Sequence, residues 1–113
     1  MSFSEIVIVL TTAPDAERAD SWAHTLVEER LAACVNVHGP MRSVYRWKGA
    51  VERDEERQVV IKTTRDHVPA LQLRLAELHP YELPEFMVLS VDGGSDAYLD
   101  WVGRSVRLQA DDQ

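Results

Sequence analysis

The sequence predicts an α+β protein of the ferredoxin-like βαββαβ type, with an extra helix towards its C-terminal end. Strand-like apolar runs occur four times, two long stretches with helical spacing separate them, and turn residues mark the boundaries. Two βαβ units with right-handed crossovers then give a four-stranded antiparallel sheet with both long helices on one face. The other sheet face has no expected cover within the chain, which predicts association.

The first βα unit is indicated by a nearly continuous β-branched run from Glu5 to Thr12. Thr12, with Asp15 three residues later, has the spacing of a capping box, so Thr12 is the expected helix cap. Apolar residues recur at helical spacing up to Leu31, which predicts a helix of about five turns. These apolar positions are Ala19, Trp22, Ala23, Leu26, Val27 and Leu31.

The next two strands form the predicted hairpin. The run from Cys34 to Val37 alternates, with Cys34 and Asn36 on one face, before Gly39 and Pro40 interrupt it. Alternation resumes over 42–47, a turn is expected at 48–49, and the partner strand is expected over 59–64. The charged cluster over 52–57 is expected at the solvated end of this hairpin.

The second helix is expected to begin at a cap, Asp66, and to carry Pro69 in its first turn. It ends at His79, where two prolines hold residues 79–86 as a stiff corner that presents polar groups. A fourth strand to Val91 and a short third helix capped by Ser95 follow. We expect residues 1–113 to form one domain, with about 109–113 as a frayed tail.

Composition limits the function classes. The 113 residues carry a net charge of −7, which argues against nucleic acid and anionic membrane as partners. The longest apolar run near the start, Ile6–Leu10, is too short to span a bilayer, and no basic segment precedes it as in a signal peptide. Cys34 is the single cysteine, so no disulfide forms within the chain. A cytoplasmic protein is the default expectation.

Catalysis has little support, because the sequence contains no recognisable Ser-His-Asp set and no glycine-rich phosphate loop. Metal binding has more, since a thiolate at Cys34 and an imidazole at His79 together favour copper or zinc. Two ligands do not complete a site, so Glu85 or Glu56, water, or groups of another subunit would be needed. A histidine in a last helical turn also suits the helix C-terminus electrostatically, so a structural role for His79 stays open.

The aromatic residues Tyr45, Trp47 and Trp101 are candidates for buried subunit contacts, and core packing within the monomer is an equal alternative. Tyr81 is expected to pack with its hydroxyl group satisfied, and Glu82 to be solvated.

A specific combination of motifs runs along nearly the whole chain. The segments are LAACVN at 31–36, SVYRWKG at 43–49, Glu56, KTT at 62–64, HPYELPE at 79–85 and YLDW at 98–101. Their order and spacing resemble the CutA family of divalent-cation tolerance proteins. The resemblance implies a trimer of ferredoxin-like protomers, a role in the response to metal ions, copper or another divalent cation as ligand, no organic cofactor and no established enzymatic activity.

Carried over residue by residue, the resemblance makes Cys34 and His79 the expected metal ligands in a cleft between subunits, with Glu56 and Glu85 as acidic positions there. A second hypothesis is a small-molecule or signalling module of the PII type, in which Lys62, Arg65 and Arg46 meet an anion. A third is a trimeric scaffold that holds partner proteins.

Overall fold

The computed structural model describes residues 5–107, which form four strands and three α-helices. The strands are β1 Ile6–Ala13, β2 Cys34–Trp47, β3 Ala50–Thr64 and β4 Met87–Ser90; the helices are α1 Ala16–Glu28, α2 Val68–Leu78 and α3 Asp96–Val106. A short 3₁₀ turn, Arg65–His67, precedes α2. The expected tail at 109–113 lies outside the described residues.

The sheet has the strand order β2-β3-β1-β4, and every neighbouring pair is antiparallel. This order follows when β1-α1-β2 and β3-α2-β4 each cross over one strand, so the predicted ferredoxin-like arrangement is confirmed. Because β1 and β3 run in opposite directions, helices α1 and α2 also run in opposite directions. Their C-terminal ends therefore lie at opposite ends of the sheet.

The core lies between the sheet and helices α1 and α2. Alternate residues of the two central strands point towards these helices and are fully buried, as the period of two in a strand requires. The strands contribute Val7, Val9, Val59 and Ile61, and the helices contribute Ala19, Trp22, Leu26, Leu71 and Leu75. Val35 and Val37 of β2, which the alternation placed on one face of the strand, pack against the same cluster, so this face is the core side.

Helix α1 differs from its prediction at both ends. Asp15, not Thr12, is the cap, and its carboxylate accepts a hydrogen bond from the Arg18 backbone N–H at 2.8 Å. Thr12 remains in β1, whose pairing with β3 continues to Ala13. The helix has 13 residues and ends before Leu31, because Arg30 adopts a positive φ of 60° that stops it.

The cap predicted for the second helix is also wrong. Asp66 lies inside the 3₁₀ turn, where its carboxylate accepts a hydrogen bond from the Thr64 hydroxyl at 2.5 Å. Helix α2 starts two residues later, with proline in its first turn as predicted. Ser95 caps α3 as predicted, since its hydroxyl accepts from the Tyr98 backbone N–H at 3.2 Å.

Part of the sheet face opposite α1 and α2 is covered by α3, contrary to the prediction that this face has no cover. Val102 and Val106 of α3 pack with Ala33 and Ile6 at the end of the sheet where β1 begins. Farther along the same face, Met87 and Leu89 of β4 are about half exposed. We call the part of this face beyond α3 the open face; it includes Leu10 and Val60, which are partly buried.

The hairpin of β2 and β3 extends beyond the helices as a two-stranded arm, residues 41–56. Gly39 and Pro40 do not end the strand; they form an irregularity between His38 and Met41, after which pairing with β3 continues to Trp47 and Ala50. The charged cluster 52–57 lies within β3, and the turn itself is Lys48-Gly49. Most of the arm is exposed, but Glu56 at its base is buried.

Replacing Gly39 with alanine should lower the free energy of unfolding by about 1–3 kcal/mol, because φ at Gly39 is +138° and an added Cβ would lie 3.2 Å from the Glu56 carbonyl oxygen. Gly93→Ala is the matched control, since its Cβ meets nothing within 4 Å. Urea denaturation of both variants at one protein concentration measures the difference. Equal stability of the two variants would contradict this account of the irregularity in β2.

Candidate functional site

The corner predicted at residues 79–86 brings His79 into the structure rather than to the surface. Helix α2 ends as the His79 backbone turns to an extended conformation, with its N–H still donating to the Leu75 carbonyl at 2.8 Å. The residue is 8% exposed. Its ring packs between Trp22 of α1 and Tyr81, with ring centroids 4.8 Å and 4.6 Å away.

Both ring nitrogens of His79 have protein partners. Nδ1 accepts a hydrogen bond from the Tyr81 backbone N–H at 3.2 Å, so Nε2 carries the proton and donates to the Thr12 carbonyl at 2.8 Å. Burial lowers the pKa of His79, against smaller opposing effects from the Thr12 carbonyl and Glu56. The histidine is thus a neutral group that ties the corner to the end of β1.

Tyr81 joins this corner to the base of the arm. Its hydroxyl donates to Oε2 of Glu56 at 3.0 Å, which confirms the prediction of a packed tyrosine with a satisfied hydroxyl. Burial, followed by the hydrogen bond to Glu56, raises the pKa of Tyr81, so the phenol keeps its proton. Glu56 is only 6% exposed, and its carboxylate therefore accepts a hydrogen bond from a neutral group.

Glu85 lies beside the same end of the sheet. Gln58 of β3 donates from Nε2 to the Thr11 carbonyl at 2.8 Å and to Glu85 Oε2 at 3.3 Å. Together, the corner and the arm line a cleft of about 860 Å³ that is open to solvent, which we call the corner cavity. Its walls are formed by Thr12, Ser43, Val44, Tyr45, Arg46, Trp47, Glu56, Pro80, Tyr81, Glu82, Leu83, Pro84 and Glu85.

Two of the aromatic residues predicted at subunit contacts, Tyr45 and Trp47, line this cavity. The Tyr45 hydroxyl donates to Asp54, and this hydrogen bond is the main cause that raises the pKa of Tyr45 to about 12. The third, Trp101, lies on α3 against Tyr98 at a ring distance of 5.5 Å and is 40% exposed. Their place in a subunit interface stays a prediction.

Cys34 lies apart from the other predicted metal ligands. Cys34 is opposite Lys62 in the β2–β3 register, whereas Glu56 precedes Lys62 by six residues in β3. At the usual rise of a strand, Glu56 is therefore about 20 Å from Cys34. The reason is the opposite direction of the helices: Cys34 follows the C-terminal end of α1, and His79 follows that of α2. The Cys34 sulfur is partly exposed and has a weak contact, 3.9 Å, with Asn36 Oδ1.

The structure thus places Glu56 and Glu85 in the walls of the corner cavity, His79 buried behind Tyr81, and Cys34 elsewhere. Among residues 5–107, no three His, Cys, Asp or Glu side chains are grouped so that they could hold a metal ion. The predicted ligand set consequently does not form a metal site within one chain.

The three cations considered for an anion site are also separated. Lys62 lies over the ring of Tyr98 on α3, and Arg65 pairs with Glu5 and donates to Ser90 Oγ at 2.6 Å. Arg46 lines the corner cavity near the tip of the arm. One chain therefore presents no joint anion site made of these residues.

Several residues that build the site carry no recognisable signal in the sequence. Trp22 is expected from the sequence only as an apolar helix position, Thr12 only as a helix cap, and Gln58 has no predicted role, yet they contact the ring of His79 and the carboxylate of Glu85. None of the helices in the part of the chain described here is both long enough and apolar enough to cross a membrane.

Comparison with known proteins agrees with this architecture. A family model described as CutA1 divalent ion tolerance protein matches residues 7–105. The divalent-cation tolerance protein CutA of Pectobacterium atrosepticum is 44% identical over 103 residues, covering 91% of this chain and 94% of that protein. The CutA of Thermus thermophilus is 46% identical over 95 residues, covering 84% and 92%.

Solved structures give the same result. The crystal structure of CutA from Xylella fastidiosa superposes with a TM-score of 0.88 at 40% identity, covering 92% of this chain and all of that one. CutA1 from Oryza sativa superposes with a TM-score of 0.90 at 34% identity, covering 95% and 98%.

The buried, neutral state of His79 predicts a pH dependence of stability. Since its pKa in the folded protein is lower than the ordinary value near 6.5, the unfolded chain takes up a proton first as the pH falls. The contribution of neutral His79 to the free energy of unfolding is therefore complete above about pH 6.5. It decreases below that pH until His79 of the folded protein is also protonated. His79→Asn should lower the free energy of unfolding at pH 7.5 by about 1–3 kcal/mol and reduce its fall between pH 7 and 5.

His38→Asn is the matched control, because His38 is exposed. Denaturant titrations at several pH values compare the two variants with the unchanged protein. The same pH slope in His79→Asn as in the unchanged protein would show that His79 is not the buried neutral group described above.

Proposed function

The chain belongs to the CutA1 family of divalent ion tolerance proteins, and on that premise we propose that it acts in tolerance by binding a divalent cation, copper foremost. In this proposal the active form is a cytoplasmic homotrimer, and its role requires no catalytic step. The metal is the ligand on which the protein acts, and no organic cofactor takes part.

The observation that carries the proposal is the position of Cys34. Cys34 is the single cysteine of the chain and is partly exposed. Among the described residues, its sulfur has one hydrogen-bond contact, the weak one to Asn36. A thiolate favours copper and zinc over magnesium and calcium. Cys34 shares a sheet face with Lys62 and Asn36, on the side of the sheet away from α1 and α2.

A complete metal site would need ligands besides Cys34. Since Cys34 lies about 20 Å from Glu56 in one chain, the carboxylates Glu56 and Glu85 and the imidazole of His79 would reach it from a neighbouring copy. His79 would have to release one of its two hydrogen bonds before a ring nitrogen could bind metal. Cys34 is therefore the ligand expected to contribute most, and the trimer is required for the site.

Apolar surface on the arm and on the open face supports the homotrimer. Val44 and Val51 of the arm are 59% and 66% exposed, and Met87 and Leu89 of the open face are about half exposed. An isolated two-stranded hairpin is only marginally stable in water, so the arm is expected to pack against other chains. Edge strands β2 and β4 offer unpaired backbone groups for the same contact.

Calorimetric titration with Zn²⁺, and with Cu⁺ in the absence of oxygen because Cu²⁺ would itself oxidise the thiol, tests the proposal. Cys34→Ser should weaken binding at least tenfold, because the hydroxyl of serine is a far poorer ligand for these metals than a thiolate. His79→Ala should weaken it less. The control His38→Ala removes an exposed histidine and should leave binding unchanged. Equal affinity in all four proteins would remove the proposed site.

A further inference from the structure

A buried carboxylate at the base of the arm has no cationic partner in the described part of the chain. Glu56 is 6% exposed, and its hydrogen bond comes from the neutral hydroxyl of Tyr81. No lysine, arginine or histidine of residues 5–107 forms an ion pair with it. Burying an ionised carboxylate without a cation is costly, so a positive charge placed beside Glu56 would be stabilised.

The corner cavity in front of Glu56 has walls that suit an organic cation. Its volume of about 860 Å³ is that of a small-molecule site and far exceeds the space of a single ion. The rings of Tyr45, Trp47 and Tyr81 line it, and aromatic faces attract cations. The side chains of the walls include three carboxylates, with Glu82 and Glu85 besides Glu56, against one guanidinium, that of Arg46.

We propose that the corner cavity binds a primary organic amine, with the ammonium group on the Glu56 carboxylate and the apolar part against the aromatic rings of Tyr45, Trp47 and Tyr81. A metal ion fits less well, because the described residues offer no group of three ligands and the cavity would leave most of an ion's surroundings unfilled. The amine site does not involve Cys34, but it shares Glu56 with the metal site proposed above, so an amine and a metal ion on this carboxylate would compete.

The arrangement of the two tyrosines supports this ligand class. Each phenol donates a hydrogen bond to a carboxylate, Tyr81 to Glu56 and Tyr45 to Asp54, so both phenols keep their protons, and neutral aromatic rings attract cations. Because Tyr45 and Trp47 are also the predicted subunit contacts, the cavity would lie beside a subunit boundary in the trimer.

Calorimetric titration of the full chain with 2-phenylethylamine, protonated at pH 7, tests the proposal. We expect saturable binding with one amine per chain, and no saturable binding of ammonium chloride at the same ionic strength, because ammonium lacks the group that would contact the rings. Glu56→Gln keeps an acceptor for Tyr81 and should weaken binding of the amine at least tenfold. Trp47→Leu leaves the Glu56 carboxylate in place and should weaken binding of the amine about threefold or more.

Glu28→Gln is the control, since it makes the same change in net charge on the exposed surface of α1. It should bind the amine like the unchanged protein. Equal binding by Glu56→Gln and Glu28→Gln would mean that the amine is attracted only by the overall negative charge, and the proposal would be overturned. Phenylethylamine that behaves like ammonium in the unchanged protein would also overturn it, because the cavity would then be closed or filled by another chain.

Discussion

The strands β2 and β3 are longer than the helices that cover them, and this mismatch shapes the rest of the molecule. Their inner parts lie over α1 and α2 and supply Val59 and Ile61 to the core. Their outer parts pair only with each other and form an exposed arm. A hairpin of two strands does not bury enough apolar surface to be stable alone, so the arm depends on contacts at its base and, in the proposed trimer, on further chains.

The contacts at the base of the arm come from the corner that follows α2. His79 is fixed by the Thr12 carbonyl and by the ring of Trp22, and Tyr81 then reaches Glu56 of the arm. The corner therefore links the helix layer, the end of β1 and the arm through groups whose hydrogen bonds are directional. Thr12, Tyr81 and Glu56 also line the corner cavity, so the structural link and the candidate binding surface share these three residues.

The order of elements and the topology could be predicted from the sequence because they depend on local patterns. Alternation placed Val35 and Val37 together on one face of β2, which the structure shows to be the core side, and the hydroxyl of Ser95 indicated the start of α3. Alternatives that differ only in local geometry were harder to separate: Thr12 and Asp15 both have capping side chains, and the extension of β1 decides between them.

The site was harder to predict, because it is assembled from residues far apart in the sequence. Glu56 lies in a charged run that is typical of a solvated surface, yet it is buried and accepts a hydrogen bond from Tyr81, 25 residues later. Cys34 and His79 each follow a helix, but the two helices run in opposite directions. Within one chain, the two residues therefore lie at opposite ends of the sheet. If they belong to one metal site, the assembly of chains must bring them together.

Light scattering on the purified protein at micromolar concentration, after size-exclusion chromatography, tests this central requirement most directly. The account predicts a single species of three times the 12.8 kDa chain mass, in which sister chains cover the arm and the open face. A single species of 12.8 kDa would contradict it, because Cys34 would then have no neighbouring carboxylate or imidazole to share a metal with.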